Sequence, residues 1–337
     1  MKVTAHTIGL DIAKSVFQVH GVDASGTVVI QKRLARAQLL PFFKQQSSCL
    51  IGIEACGTAH FWARELSALG HAVKLVPAQY VKPYVKRVKN DAADAEAICE
   101  AVTRPNMRFV PVKTPEAQAV GSLHTLRLQL TRQRVAMLNC LRSGLAEYGV
   151  VAPSGTSGAA ALLKHAAAGS KRVPKVVRAG FAAMAKAVAT CDAQLSDITE
   201  QLAEAAKSDD SCSRLDAIPA VGPIAASAIV ALGGDLSRFR SGRHFAAWMG
   251  LTPRQYSSGD RVRLGHITKA GSRTLRHLLV YGALVHIWRT KAPSPWLSSL
   301  LERRPQLVAA VALANKTARI AWAIIVRGET YRRPSAA

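Results

Sequence analysis

Short apolar runs with polar breaks open the chain, and their lengths read as strands. The run from His6 to Leu10 is apolar and bounded by a charged segment. Two more β-rich runs follow, near Val16 to Val22 and Thr27 to Gln31, with a Gly-containing turn at Ser25-Gly26 between them. Strand and helix signals then alternate. "CLIGIEACG" (Cys49 to Gly57) is a continuous apolar strand broken by Glu54, and "TAHFWARELSALG" an amphipathic helix with Thr58 as N-cap and Gly70 as stop. "AVKLVP" (Ala72 to Pro77) reads as another buried strand. In "NDAADAEAICEAV", Asn90 can cap a further helix. This order predicts an antiparallel meander followed by strand-helix-strand, with the first and fourth strands as neighbours.

Helical periodicity dominates the rest. "TPEAQAVGSLHTLRLQLTRQRVAMLNCLRSGLAEYG" is a long Arg-rich helix, and "VRAGFAAMAKAVATCDAQLSDITEQLAEAA" a second one antiparallel to it. The Ala, Gly and Ser of "APSGTSGAAALLKHAAAGSKRVP" between them predict a loop or weak helix. The pair serves either as a spacer or as a dimerisation element. "RLDAIPAVGPIAASAIVALGG" has the form of a helix-hairpin-helix, with its turn at Pro219 to Gly222. Such a turn aims backbone N–H groups at phosphate oxygens without reading bases.

Strands disfavour Asp, yet Asp11 stands in the first one. It is either a strand-end acid in a turn or part of a metal site. Glu54 lies near the end of a later strand. Asp91 and Asp94 share one helix face, about 5–6 Å apart at Cβ. On the predicted topology these four carboxylates converge at one edge. At an effective dielectric of about 20, each pair at 4 Å would repel by roughly 4 kcal/mol. A divalent cation relieves that repulsion. All-oxygen ligands without Cys or His favour Mg²⁺.

Charge then narrows the partners. The 337 residues hold 45 Lys and Arg against 21 acids, a formal charge of +24, which points to a polyanion and most directly to nucleic acid. An apolar share of 49% with 20% charged residues argues for folded domains, roughly two at this length. The connector "QYVKPYVKRVK" carries Lys82, Lys86, Arg87 and Lys89 with Tyr80 and Tyr84 interleaved, which suits a sugar-phosphate backbone. From Leu251 to Val280, Arg254, Arg261, Arg263, Lys269, Arg273 and Arg276 face one acid, Asp260. Within that stretch, Ser258 is either a plain turn serine or a group placed to approach a phosphate. The six scattered cysteines form no C-x-x-C and read as reduced thiols. The apolar stretch Ile320 to Val326, flanked by Arg319 and Arg327, is too short to span a bilayer, so no membrane partner is expected and the location is cytoplasmic.

The ordered set "GLD" at Asp11, "IEACGT" at Glu54, "KNDAADA" at Asp91 and Asp94, "IPAVGP", and "GLTPRQYSSG…RVRLGHITKAGSRTLR" resembles the DEDD transposases of the insertion-sequence one-hundred-and-ten family. "LDIAKSVFQVHGVD" resembles its eleven-eleven subgroup. The likeness runs over nearly the whole chain and is weakest between about residues 120 and 210. It implies an α/β plus all-α architecture. Residues 1–115 would form a RuvC-like (RNase H-type) DEDD catalytic domain, 116–210 a helical coiled-coil arm, and 211–337 a helical transposase domain with the helix-hairpin-helix and a serine loop. It also implies a recombinase acting on element ends and target DNA, guided by a structured noncoding RNA. All four acids match as catalytic Mg²⁺ ligands, and the serine of the family's Tyr-x-Ser-Gly pattern falls on Ser258. That serine would form a covalent phosphoserine, conserving bond energy for rejoining, with arginines stabilising the developing phosphate charge. The site would be composite across subunits, so the active form is an oligomer: a dimer, and a tetramer on DNA. The prokaryotic protein would associate with the nucleoid when DNA-bound. Two other classes stand beside it: a hydrolytic RNase H-like nuclease or Holliday-junction resolvase, and a non-catalytic nucleic-acid binder.

Overall fold

Buried β-branched and Leu residues alternate with glycine along the first strands and set the N-terminal layer. The computed structural model describes residues 5–86 and 90–332, in two compact units, Met1–Thr114 and Pro115–Ala337. The first unit holds β1 (Thr7–Ile12), β2 (Val16–Val22), β3 (Val28–Ala35), α1 (Leu39–Lys44), β4 (Leu50–Glu54), α2 (Ala59–Ala68), β5 (Ala72–Val76), α3 (Ala78–Val81) and α4 (Asp91–Val102). The sheet order is β3-β2-β1-β4-β5. β1 runs antiparallel to β2 and parallel to β4, and β4 runs parallel to β5. The first and fourth strands are therefore neighbours. One face carries α1 and α2 over Ile8, Leu10, Ile51, Ile53, Trp62 and Leu66, and the other carries α4. Burying each such side chain contributes about 1.5–3 kcal/mol.

Three details refine the sequence pattern. β3 extends to Ala35, well past Gln31, because β2 supplies ladder partners as far as Val16↔Ala35 and the polar Gln31-Lys32-Arg33 is tolerated on an edge strand. Asp11 lies inside β1, one residue before its end. Thr58 occupies the N-cap position of α2, but its φ of 70° places it in the left-handed region and its side chain makes no cap hydrogen bond. Asn90 does cap α4: its side-chain oxygen accepts from the Ala93 N–H at 2.8 Å.

In the second unit, α5 (Pro115–Ala146) and α7 (Lys175–Lys207) pack side by side. Arg127 Nε donates to Thr199 Oγ1 at 3.1 Å, Arg134 pairs with Asp192, and Gly144 faces the Phe181 ring. As one number rises the other falls, so the helices are antiparallel. The segment between them is a formed helix, α6 (Thr156–Ala168), and not a loop: Ala159, Leu162 and Ala166 bury against Leu141, Leu145 and Val188. Its Ala and Leu residues favour helix intrinsically, and tertiary packing adds to that preference.

Beyond α7 come α8 (Asp210–Asp216), α9 (Pro223–Gly233), α10 (Gly242–Trp248), a hairpin of β6 (Pro253–Gln255) and β7 (Leu264–Ile267), α11 (Arg273–Arg289), α12 (Pro295–Arg303) and α13 (Gln306–Arg327). Their core centres on Ile229, Phe245, Met249, Leu279, Ala314 and Ala318. α13 corrects the expectation of no segment of spanning length. The apolar stretch is the end of a 22-residue helix, long and apolar enough by length and composition to cross a membrane. Its Ala310, Ala314, Ala318 and Ala321 are buried, and it packs on α10 and α11, as a core helix does.

Candidate active site

The position of α4 on the sheet is decided by two glycines. A Cβ at Gly9 would overlap the Ala95 carbonyl oxygen and the Cys99 amide, and one at Gly52 would lie 2.8 Å from Val102 Cβ. The helix backbone therefore rests directly on β1 at Gly9, while at Gly52 of β4 the Val102 and Ile98 side chains fill the space. Side chains alternate along a strand, so Asp11 shares the face of Gly9, and Glu54 that of Gly52. Because Gly9 meets Ala95 and Cys99, while Gly52, level with it in the sheet, meets Ile98 and Val102, α4 crosses from β1 toward β4. The coulombic effect of Asp94 and Asp91 on Asp11 places the first turn near the strand ends that carry the acids. Extending the β1–β4 register one residue beyond Leu10↔Ile53 sets Asp11 beside Glu54. Asp91 and Asp94 occupy the first turn of α4, where the helix dipole favours negative charge.

The electrostatics follow. Asp11 is pushed up to about 6, first by burial and then by Asp94, Asp91 and Glu54 in turn, against a single lowering hydrogen bond from the Ile12 backbone. Glu54 is raised by burial and by Asp94. The exposed Cys56 thiol is raised by burial of its sulfur and by Glu54 and Asp11. Asp11 thus feels the other three acids, and Glu54 feels Asp94. Among the described residues, no group of three or more His, Cys, Asp or Glu side chains is arranged so that it could hold a metal ion. The donor set is nevertheless one that suits a hard divalent cation: carboxylates only, with one carboxyl held partly protonated near neutral pH.

Ser258 lies in the second unit, on the exposed tip of the β6–β7 hairpin. Its carbonyl accepts from the Arg261 N–H at 3.2 Å, and Gly259 beyond it has φ +55°. The neighbouring Ser257 is occupied differently: its Oγ accepts from the Arg263 N–H at 3.2 Å, while Tyr256 N donates to the Arg263 carbonyl at 2.8 Å. Ser257 ties the hairpin, and among the described residues the Ser258 hydroxyl makes no hydrogen bond.

Two family models match this chain. One, for DEDD transposases of IS110 type, covers residues 8–150, and the other, described as transposase IS116/IS110/IS902 family, covers residues 212–297. A probable family 20 transposase of Pseudomonas aeruginosa is 47% identical over 96% of this chain and 98% of its own length. The transposase for insertion sequence element IS1111A of Coxiella burnetii is 39% identical, over 96% and 91%. The one for IS1328 of Yersinia enterocolitica is 38% identical, over 97% and 98%. The chain belongs to the IS110/IS1111 family of transposases.

In this transposase the basic residues expected to meet nucleic acid are placed unequally. Lys82 is exposed after α3, and Lys86 pairs with Glu96 of α4 at 2.6 Å on the surface, where such a pair contributes little. Arg87 and Lys89 lie outside the described residues. Arg261, Arg263, Lys269 and Arg273 are exposed, and Arg254 donates to the Thr268 carbonyl at 3.2 Å. Arg276 is committed to the fold: its Nη1 donates to the carbonyls of Met249 at 2.9 Å and Ala270 at 2.7 Å. Sequence reasoning missed Gly9 and Gly52. The glycines left a visible signal, since each strand acid is preceded two residues earlier, on the same face, by Gly.

Proposed function

We propose that this transposase is an RNA-guided, Mg²⁺-dependent DNA recombinase that cuts and rejoins strands through a phosphodiester linked to Ser258. The observation that carries the reading is the Asp11 carboxyl, raised first by burial and then by three other carboxylates, one at the end of the neighbouring strand and two at the start of α4. The sheet order, with one parallel and one antiparallel neighbour for β1, supports an RNase H-type (RuvC-like) domain. The antiparallel α5–α7 pair supports a coiled-coil arm, and the α8–turn–α9 segment a helix-hairpin-helix. The partners in this reading are element-end and target DNA and a guide noncoding RNA, with the oligomeric, cytoplasmic state implied by the family resemblance.

Asp11, Glu54, Asp91 and Asp94 would hold the Mg²⁺. Once bound, it supplies charge neutralisation and Lewis-acid polarisation of a phosphoryl oxygen. The chain's own residues do the rest. Ser258 Oγ forms a bond to phosphorus as the scissile P–O bond breaks. The hydroxyl proton passes to solvent or a carboxylate, and the departing strand leaves with the bonding pair. Attack by the partner strand's oxygen reverses the step and frees the serine, so the bond count is conserved. Arg254, Arg261 and Arg263, on the same hairpin, offer charge-assisted hydrogen bonds to the phosphate oxygens. Because Ser258 and the carboxylates belong to different units of the chain, this reading requires an assembly on DNA that serves one phosphate with both.

The test is an adduct trap. Labelled DNA and RNA are incubated with the protein and denatured in detergent, and labelled protein is counted. Ser258→Ala should lose the adduct and recombination while retaining nucleic-acid binding. Ser257→Ala, which loosens the hairpin, should reduce the yield without abolishing it. Adduct formed by Ser258→Ala would refute the assignment, and strand cleavage without adduct in the wild type would favour hydrolysis.

A further inference from the structure

A cleft of about 1800 Å³ opens in the second unit beside the serine hairpin. One wall is the hairpin base, with Pro253, Gly265, His266 and Ile267, and the opposite wall is α13. Its floor is apolar, built from Leu251, Val280, Val311 and Ile320. Leu307 and Val308 at the start of α13, 61% and 50% exposed, extend this apolar surface to the mouth of the cleft. The rim carries Arg243, Lys269, Arg273, Lys316 and Arg319, and none of the lining residues is acidic. Lys316 is held in place over the Trp296 ring, 4.4 Å from its centroid. Arg319 is exposed while its backbone is locked against Gly242.

Size and chemistry select the occupant. Small-molecule pockets run to about 1,000 Å³, so this cleft suits a polymer. Cations along a rim above an apolar floor match a chain with charged links and flat apolar faces. That describes single-stranded nucleic acid, whose phosphates track the rim while its bases lie on the floor. A duplex hides its bases and would leave the floor uncovered. Since the cleft adjoins the hairpin whose substrate is a DNA phosphate, we infer that it holds a single DNA strand next to the scissile position. The inference rests on the serine reading for the choice of DNA and not for the existence of the cleft.

Two measurements on the full chain test it. Fluorescence anisotropy would compare oligo-dT of about twelve nucleotides with an abasic oligomer of the same length and charge. The expected result is about tenfold weaker binding without bases. Equal binding would overturn the inference, as would tighter binding of oligo-rU than of oligo-dT. The Lys316→Ala, Arg319→Ala double variant should lower the log-log salt slope for oligo-dT by about 1.4, two phosphates' worth, and leave a blunt duplex within about threefold. An unchanged slope overturns the inference. Unaltered thermal melting of the variant would exclude misfolding as the cause. Photocrosslinking of a 5-bromodeoxyuridine oligomer should map to peptides within 265–277 and 307–320, and crosslinks confined to other segments would also overturn it. Ser258→Ala should bind oligo-dT normally. Failure of the cleft and failure of the covalent serine are therefore read out separately.

Discussion

Replacing Asp11 by Asn should stabilise the metal-free protein while removing activity. Asp11 rises from 3.8 to about 6 in the folded state. The folded form therefore holds the proton more tightly than the unfolded chain, and stability is lost as pH rises through that interval. At about 1.4 kcal/mol per unit, the shift corresponds to ~3 kcal/mol by neutral pH. Asp11 is only half-buried, so solvent screening takes the expectation to ~1.5 kcal/mol. In a unit of this size that is a rise in midpoint temperature of about 5 °C or more. Asn mimics the protonated acid, so wild type and variant should coincide near pH 4 and diverge by pH 7. The assay is thermal melting in EDTA across that range, with hydrogen exchange of peptides spanning β1 and α4 to confirm that the first unit responds. Millimolar Mg²⁺ should close the gap by stabilising the wild type. A variant less stable than wild type at pH 7 in EDTA, or a difference independent of pH, would refute the reasoning.

Glu54→Gln and Asp94→Asn should each cut divalent-dependent strand cleavage by about 100-fold or more without changing DNA affinity; wild-type cleavage rates on a denaturing gel would contradict the metal role. Gly9→Ala should cost about 3 kcal/mol in urea unfolding and abolish cleavage, because α4 must lift off β1, whereas Gly57→Ala, with open space around it, should be near neutral. His124 of α5 is buried against Ser227 of α9 at 3.1 Å, and burial and then Arg127 push it down to about 4. Its folded value lies below its unfolded one, so stability should fall by up to about 3 kcal/mol between pH 6.5 and 4, and His124→Gln should flatten that slope in urea titrations.

The sequence discloses the parts of the site that depend on local pattern. Asn90 before an acidic first turn, the three-residue spacing of Asp91 and Asp94, and the apolar runs that become β1, β4 and β5 are all short-range signals. What the pattern hides is set by neighbours far along the chain. β3 is as long as β2 allows. α6 has the Ala and Leu content of a helix, but where it docks is decided by Leu162 burying against Leu141, Leu145 and Val188. The apolar stretch at Ile320 becomes the end of a core helix because small residues recur at Ala310, Ala314, Ala318 and Ala321 and let α10 and α11 approach. The division between Ser257 and Ser258 is likewise invisible, since both are serines and only the hairpin register decides which hydroxyl is occupied. The cleft joins residues of α10, the hairpin, α11 and α13, so no single stretch advertises it.

Where α4 crosses Gly9, main chain meets strand with no side chain in between, while at Gly52 the Val102 and Ile98 side chains fill the gap. On the β1 side, the gap between Asp11 and the helix carboxylates is then fixed by atomic radii, and no rotamer change elsewhere in the core can widen it. Such a seat behaves like a machined stop. Drift at Ile98 or Val102 would alter how the helix sits over β4 but leave its seat on β1 the same, so this unit can change its packing there while keeping Asp11 in register with the start of the helix.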